Sequence, residues 1–251
     1  MTIQRIFSVG GTATWKFVNP KPGMDTPFRS SGLLVARSGQ RFGGCIRVGK
    51  DWILTAHHLV DVAAMARSFT ASFGRFTPWE ANIHTYELDP TDYFASDDGI
   101  QGASGFDFRL DYAFIRLKGG NNDISTNPLP QVIPAPPAVG DLAIIPQYLS
   151  RGPMQVASPC SVELQYAGMF TSINADFTYH LTSTIEGSSG SPIFDEKHRL
   201  VAMHTHGQHP WDRVGLKRKY NWGTRIDAIV HDARSRGFAF LNEMPELNRI
   251  P

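Results

Sequence analysis

Cysteine is almost missing from this chain: two in 251 residues, Cys45 and Cys160. Secreted folds are more often stapled by disulfides, so the scarcity points to a reducing compartment. Cys45 precedes Ile46 in a strand-like segment, which predicts a buried thiol. The sequence leaves a pairing of the two cysteines open. An excess of one charge is missing too, with 24 basic against 23 acidic residues and a net charge of +1. Nothing in that balance draws the chain to nucleic acid or to an anionic membrane. No apolar run approaches the roughly 18 residues of a membrane span. The first residues, Met1 to Gly11, lack the apolar core of a secretory signal. If the chain starts there, the cytoplasm is its expected location. Helix signals are sparse, and no repeat or low-complexity tract is present.

What is present is a set of short apolar segments punctuated by Gly, Pro and Asn. Gly32–Val35, Cys45–Val48, Trp52–Thr55, Tyr112–Leu117, Leu142–Ile145, Ile193–Phe194 and Leu200–Met203 read as strands. With 41% hydrophobic residues the chain can bury a full core. Regular turn signals between short strands favour an all-β barrel or sandwich. Two segments read as helices. One is short, over Val60–Ser68. The other is Ile226–Arg236, whose Ile226, Ile229 and Val230 recur at i, i+3 and i+4 before a Gly237 stop. Lys118–Gly140 holds Pro128, Pro130, Pro134, Pro136 and Pro137. That density cannot sit in a central strand, so it reads as a connector between two halves of similar length. Residues 70–110, with Tyr86, Asp89, Tyr93, Phe94, Asp97 and Asp98, read as a long aromatic and acidic insertion.

Three segments carry possible chemistry. Gly187-Ser188-Ser189-Gly190-Ser191-Pro192 sets a serine on a tight glycine turn. Such a serine can attack a carbonyl while neighbouring N–H groups hold the oxyanion. Trp52-Ile53-Leu54-Thr55-Ala56-His57-His58 ends an apolar strand in histidines. Asp111-Tyr112-Ala113-Phe114 opens an apolar strand with a carboxylate. Singly, each has an ordinary alternative: a glycine-serine turn, a surface histidine, a turn-forming aspartate. Together they place a base, an orienter and a nucleophile in the order His, Asp, Ser. The separations are 53 (111 − 58) and 78 (189 − 111) residues.

On these motifs the chain resembles the trypsin-like serine proteases, in particular their bacterial glutamyl-endopeptidase-like branch. Thr55-Ala56-His57-His58 is similar to that family's Thr-Ala-x-His and selects His58 over His57. Asp111-Tyr112-Ala113-Phe114 is similar to Asp-x-Ala-hydrophobic, and Gly187 to Pro192 to Gly-x-Ser-Gly-[Gly/Ser]-Pro. Weaker likenesses lie at Gly140–Ile145, Leu200–His204 and Asn221–Ile226. The resemblance implies one domain over 1–251 with two six-stranded antiparallel β-barrels and a C-terminal α-helix. The first barrel would span about 1–120, the connector about 118–140, and the second barrel with the helix about 140–251.

By the same resemblance, Ser189 is the nucleophile, His58 the general base and Asp111 the orienter. The backbone N–H groups of Gly187 and Ser189 would form the oxyanion hole. Ser183, Thr184, His204, Thr205, Gly207 and Asn221 would line the pocket for the side chain before the cut. Ser183 stands where an Arg- or Lys-selective pocket carries a carboxylate, so those residues are not the expected P1. His204 matches the histidine that binds a P1 carboxylate, which implies Glu, Asp or Gln, although Glu186 at the lip opposes an acidic group. Ser188 replaces the aspartate that many relatives pair with a freshly cut N-terminus. Activation by N-terminal clipping is therefore not expected. The expected partner is a protein substrate, with no nucleic acid, membrane or cofactor. It would be cut either as the target of a dedicated intracellular effector, encoded nearby, or in general proteolysis.

Three other readings compete. An α/β-hydrolase needs Gly-x-Ser-x-Gly and the order Ser, Asp, His, and neither is present. A metal site on His204, His206 and His209 lacks an adjoining Cys or acidic residue in sequence, so no metal is expected. A catalytically silent trypsin-like scaffold would normally have lost a triad residue, whereas all three are kept.

Overall fold

A computed structural model describes residues 6–7, 16–17, 27–38, 41–74, 83–96, 110–119, 129–133, 135–148, 162–173, 176–180, 182, 184–185, 187–207 and 221–251. In chain order the strands begin with β1 (Ile6–Phe7), β2 (Lys16–Phe17), β3 (Ser31–Ala36), β4 (Arg41–Arg47) and β5 (Trp52–Thr55). A short helix α1 (Ala63–Ala66) precedes β6 (Phe69–Phe73), β7 (His84–Ala95) and β8 (Ala113–Lys118). The second half holds β9 (Leu142–Tyr148), β10 (Val162–Ile173), β11 (Phe177–His180), β12 (Thr184–Ile185), β13 (Pro192–Phe194), β14 (Leu200–His206) and β15 (Asn221–Arg225). Helices α2 (Ile226–Ser235) and α3 (Pro245–Asn248) end the chain.

β3, β4, β5, β8, β7 and β6 close, in that order, into a six-stranded antiparallel barrel. The second half forms the row β11-β15-β14-β13-β9-β10, and β10 pairs again with β11, joining the two ends of the row. The architecture is therefore all-β, with few helices among the described residues, α2 and α3 among them near the C-terminus.

The N-terminal arm departs from the expected division at residue 120. β2 pairs with β10, and β1 pairs with β12, with Ile6 opposite Ile185 and Phe7 opposite Thr184. Both arm strands thus serve the second half, and the first barrel begins at β3. Residues 70–110 also differ from a plain insertion, because they supply β6 and β7 to the first barrel. β7 contains Pro90, and its pairing with β8 shifts between Asp89 and Tyr93. Such an irregularity bends a strand and breaks its alternation, which hides the strand in the sequence. The helix expected over Val60–Ser68 shrinks to α1, preceded by a 3₁₀ turn at His57–Leu59.

α2 forms as its spacing dictates. It buries Ile226, Ala228, Ile229, Val230 and Ala233, and Gly237 follows in the left-handed region at φ 73°. Asp227 in its first turn is bound by Arg225 and favours the helix N-terminus. The chain then turns back onto the first barrel. Phe240 stacks on Trp52 at 4.6 Å and on Phe94 at 4.4 Å. The Trp52 indole N–H donates to Glu243 at 3.1 Å, and Glu243 also pairs with Arg116 at 2.9 Å. Tyr112 donates its hydroxyl to Asp232 of α2 at 2.6 Å. This tail explains why all four residues of β5 are buried: one face looks into the barrel and the other is capped by residues about 190 positions later. Cys45 is a buried free thiol, and burial pushes its pKa far up. Cys160 lies outside the described residues.

Candidate active site

The end of β5 delivers His58. Its side chain faces Asp111, which sits just ahead of β8, the strand paired with β5. The His58 imidazole donates Nδ1–H to Asp111 Oδ2 at 2.7 Å, and the His58 backbone N–H donates to Oδ1 at 2.9 Å. A carboxylate only accepts, so Nδ1 carries a proton and Nε2 is the ring nitrogen turned away from Asp111. The backbone N–H of His57 donates to the Asp111 carbonyl at 3.2 Å. Asp111 is held at φ 46°, a left-handed conformation uncommon outside glycine. Backbone strain of this kind clusters at functional sites. His57 turns the other way: it is buried, with its Nε2 at 2.9 Å from the Asp61 carbonyl.

The turn before β13 carries Ser189. Gly187 and Gly190 flank it at φ 94° and 82°, conformations only glycine adopts freely. Gly190 has a second constraint. A Cβ there would meet the Gly44 carbonyl oxygen at 2.1 Å and Thr55 Oγ1 at 2.7 Å. Backbone is thus packed against backbone, and the Gly44 N–H donates to the Ser189 carbonyl at 2.7 Å. That contact docks the Ser189 turn onto the first barrel beside the strand end that carries His58. The Ser189 hydroxyl donates to the Thr205 carbonyl at 3.2 Å and not to His58.

Ser188, buried just before it, donates its hydroxyl to the buried Gln147 side-chain carbonyl on β9. Gln147 was not visible as a site residue in the sequence, because it lies 41 positions away.

β14 passes beneath. Its pairing with β15 shifts between His204 and His206, and the two imidazoles part company. His204 is buried against His180 of β11, Nδ1 to Nε2 at 3.3 Å. Burial pushes His204 well below the ordinary histidine range, reinforced by His180, His206 and His58. Burial likewise pushes His180 down to about 3. Both rings are therefore neutral at pH 7. His206 remains 43% exposed in its side chain and stacks on Trp222 at 5.0 Å with ring planes 12° apart. Its ring centre lies 5.7 Å from that of His58, and its Nδ1 lies 4.0 Å from Asp111 Oδ2.

The remaining pocket residues separate. Thr184 and Thr205 are buried, and neither hydroxyl has a hydrogen-bond partner among the described residues. The Asn221 amide donates to the Thr182 carbonyl at 2.7 Å. Gly207 is half-buried at the end of β14. Ser183 and Glu186 lie outside the described residues. His180 did not stand out as a site residue in sequence, and His206 stood out only in a metal reading with His204 and His209, not beside His58 and Asp111. The His204-Thr205-His206 spacing was the one hint for the second.

The family description "trypsin-like peptidase domain" matches residues 42–203. No curated protein matches the chain. Among solved structures, neuropsin, a serine protease expressed in the limbic system of mouse brain, is similar at TM-score 0.62 and 17% identity. That match covers 84% of this chain and 94% of neuropsin. A Glu endopeptidase in complex with MPD is similar at TM-score 0.63 and 15% identity, over 91% of this chain and 99% of that one. At such identities the likeness is one of fold.

Proposed function

This chain belongs to the family of trypsin-like peptidases, and from that premise we propose that it is a serine endopeptidase acting through His58, Asp111 and Ser189. The observation that carries the reading is the two-point grip of Asp111 on His58, at 2.7 Å to Nδ1 and 2.9 Å to the backbone N–H. It fixes the tautomer whose Nε2 can accept the Ser189 proton. Ser189 Oγ then attacks the peptide carbonyl, and Asp111 stabilises the imidazolium that forms. His58 returns the proton to the leaving amine. Water repeats the sequence on the acyl-enzyme. The backbone N–H groups of Gly187 and Ser189 hold the oxyanion, each such donor being worth about 2.7–4 kcal/mol.

The pocket favours a polar P1 side chain. The Thr184 and Thr205 hydroxyls are buried without partners among the described residues, and buried polar groups are nearly always satisfied. A Glu, Asp or Gln side chain would supply what they lack, with His204 as the neighbouring imidazole. The substrate we propose is a protein met inside the cell, consistent with Cys45 as a free thiol and with the likeness of the motifs to the bacterial branch. No described helix is long and apolar enough to cross a membrane.

One observation favours a second reading, a silent scaffold: the Ser189 hydroxyl bonds to Thr205 rather than to His58. Catalytic hydrogen bonds often tighten only when substrate binds, so the two readings separate by reactivity. A fluorophosphonate probe should label the wild type and leave Ser189→Ala unlabelled. An unlabelled wild type would leave the scaffold standing. Digestion of candidate partners by wild type and Ser189→Ala, with the cut site mapped, would name the substrate and its P1 residue.

A further inference from the structure

We propose that His58, Asp111 and His206 form a binding site for a divalent transition-metal ion of zinc's class, and that its occupancy switches off the His58 base. The three donor atoms all lie within 4.8 Å of one another. Two imidazole nitrogens converge on one oxygen: His58 Nδ1 at 2.7 Å and His206 Nδ1 at 4.0 Å from Asp111 Oδ2. A proton-relay triad needs one imidazole, and the second is not explained by it. His206 is also held in place by its stack on Trp222, so its orientation is preset. Both rings are partly open to solvent, with His58 42% and His206 43% exposed in their side chains, while the His206 Nδ1 atom is itself buried.

The donor set is chemically apt. Two imidazoles and a carboxylate suit zinc and its neighbours, and three protein ligands with one open position are a known zinc arrangement. Bonds of 2.0–2.2 Å at tetrahedral angles place ligand atoms roughly 3.3 Å apart. The 2.7 Å separation must open and the 4.0 Å separation must close, each by roughly 0.7 Å on that geometry. In sequence, the histidines of 204–209 had no acidic neighbour. The fold supplies one from β8, while His204 is turned away to His180.

The consequence follows from charge. A cation on His58 Nδ1 takes the place of the proton shared with Asp111. The ring then holds its proton on Nε2, which presents an N–H and can no longer accept a proton from Ser189. This consequence rests on the peptidase reading; the binding does not.

The test is equilibrium dialysis of the full chain against Zn²⁺ alone, paired with fluorophosphonate labelling with and without zinc and after a chelator. One zinc per chain is expected, with labelling lost and then restored. Losing an outer-shell partner already weakens metal binding about 10–100-fold, so losing the ligand in His206→Gln should cost at least about 100-fold. The zinc-induced drop in labelling, taken as a ratio within each variant, should vanish with it. His231→Gln, at an exposed histidine of α2 outside the cluster, should bind like the wild type. A wild type that binds no zinc, or a His206→Gln variant that binds it as tightly, would overturn the proposal. Zinc bound by a chain that the probe never labels would support the metal site and count against the peptidase reading instead. Thermal melting of His206→Gln shows whether the variant is folded, and Asp111→Asn offers a second ligand deletion if it is not.

Discussion

Ser188 and Gln147 form a buried, uncharged hydrogen bond beside the nucleophile turn. Both partners are neutral, so the contact needs no charged N-terminus to complete it. The turn is braced without any cut. Gln147→Leu should remove this acceptor from the Ser188 hydroxyl and cost about 1–3 kcal/mol, read as a lower melting temperature together with weaker probe labelling. Removing residues 1–17 deletes β1 and β2, and should lower labelling. A gain on truncation would contradict the neutral brace.

Substitution of the triad should be steep and selective. Where a triad acts as a unit, Ser189→Ala and His58→Ala each remove about 10⁶ of kcat. His57→Ala should spare most activity, since that ring bonds to the Asp61 carbonyl and not to Asp111. Peptide hydrolysis rates on the three purified variants check this, and equal losses at His57 and His58 would show the wrong base.

Acid should unfold the protein through its buried imidazole pair. His180 and His204 have folded pKa values depressed by burial, His180 to about 3. Below about 6.5 the unfolded chain takes up protons that the folded chain refuses, so stability falls as pH drops from there toward 3. Each such group contributes about 1.4 kcal/mol per pH unit within its window. Melting temperatures across pH 7 to 4 should show this slope, and His180→Phe should flatten it. The sense is opposite to that of a histidine stabilised by a carboxylate, so a protein that gained stability on acidification would refute it.

The C-terminal tail should matter for stability out of proportion to its length. Phe240→Ala removes a ring packed on both Trp52 and Phe94, and such truncations typically cost about 3–5 kcal/mol. A denaturant midpoint measures the loss. A value under 1 kcal/mol would mean the stack is peripheral.

The sequence made local facts legible and distant ones opaque. Strand-forming apolar runs, the α2 spacing with its Gly237 stop, and the letters around His58, Asp111 and Ser189 are all short-range signals. The partners of those residues are not. Gln147 meets Ser188 across 41 positions, His180 meets His204 across 24, and Glu243 meets Trp52 across 191. Nothing near any of them announces the pairing. β7 was masked by its own irregularity at Asp89–Tyr93, which removed the two-residue rhythm that would have revealed a strand. The nearness of His206 to His58 and Asp111 stayed hidden because strand alternation puts His206 on the His204 side, whereas the register shift in β14 separates them.

The stack of Phe240 on Trp52 also sets an order of events during synthesis. Trp52 and Phe94 leave the ribosome long before residue 240 exists, so a nascent first barrel carries an uncovered aromatic face. Such faces invite chaperones and misassembly. The same delay keeps the Trp52 and Phe94 rings without their partner until residue 240 has been made.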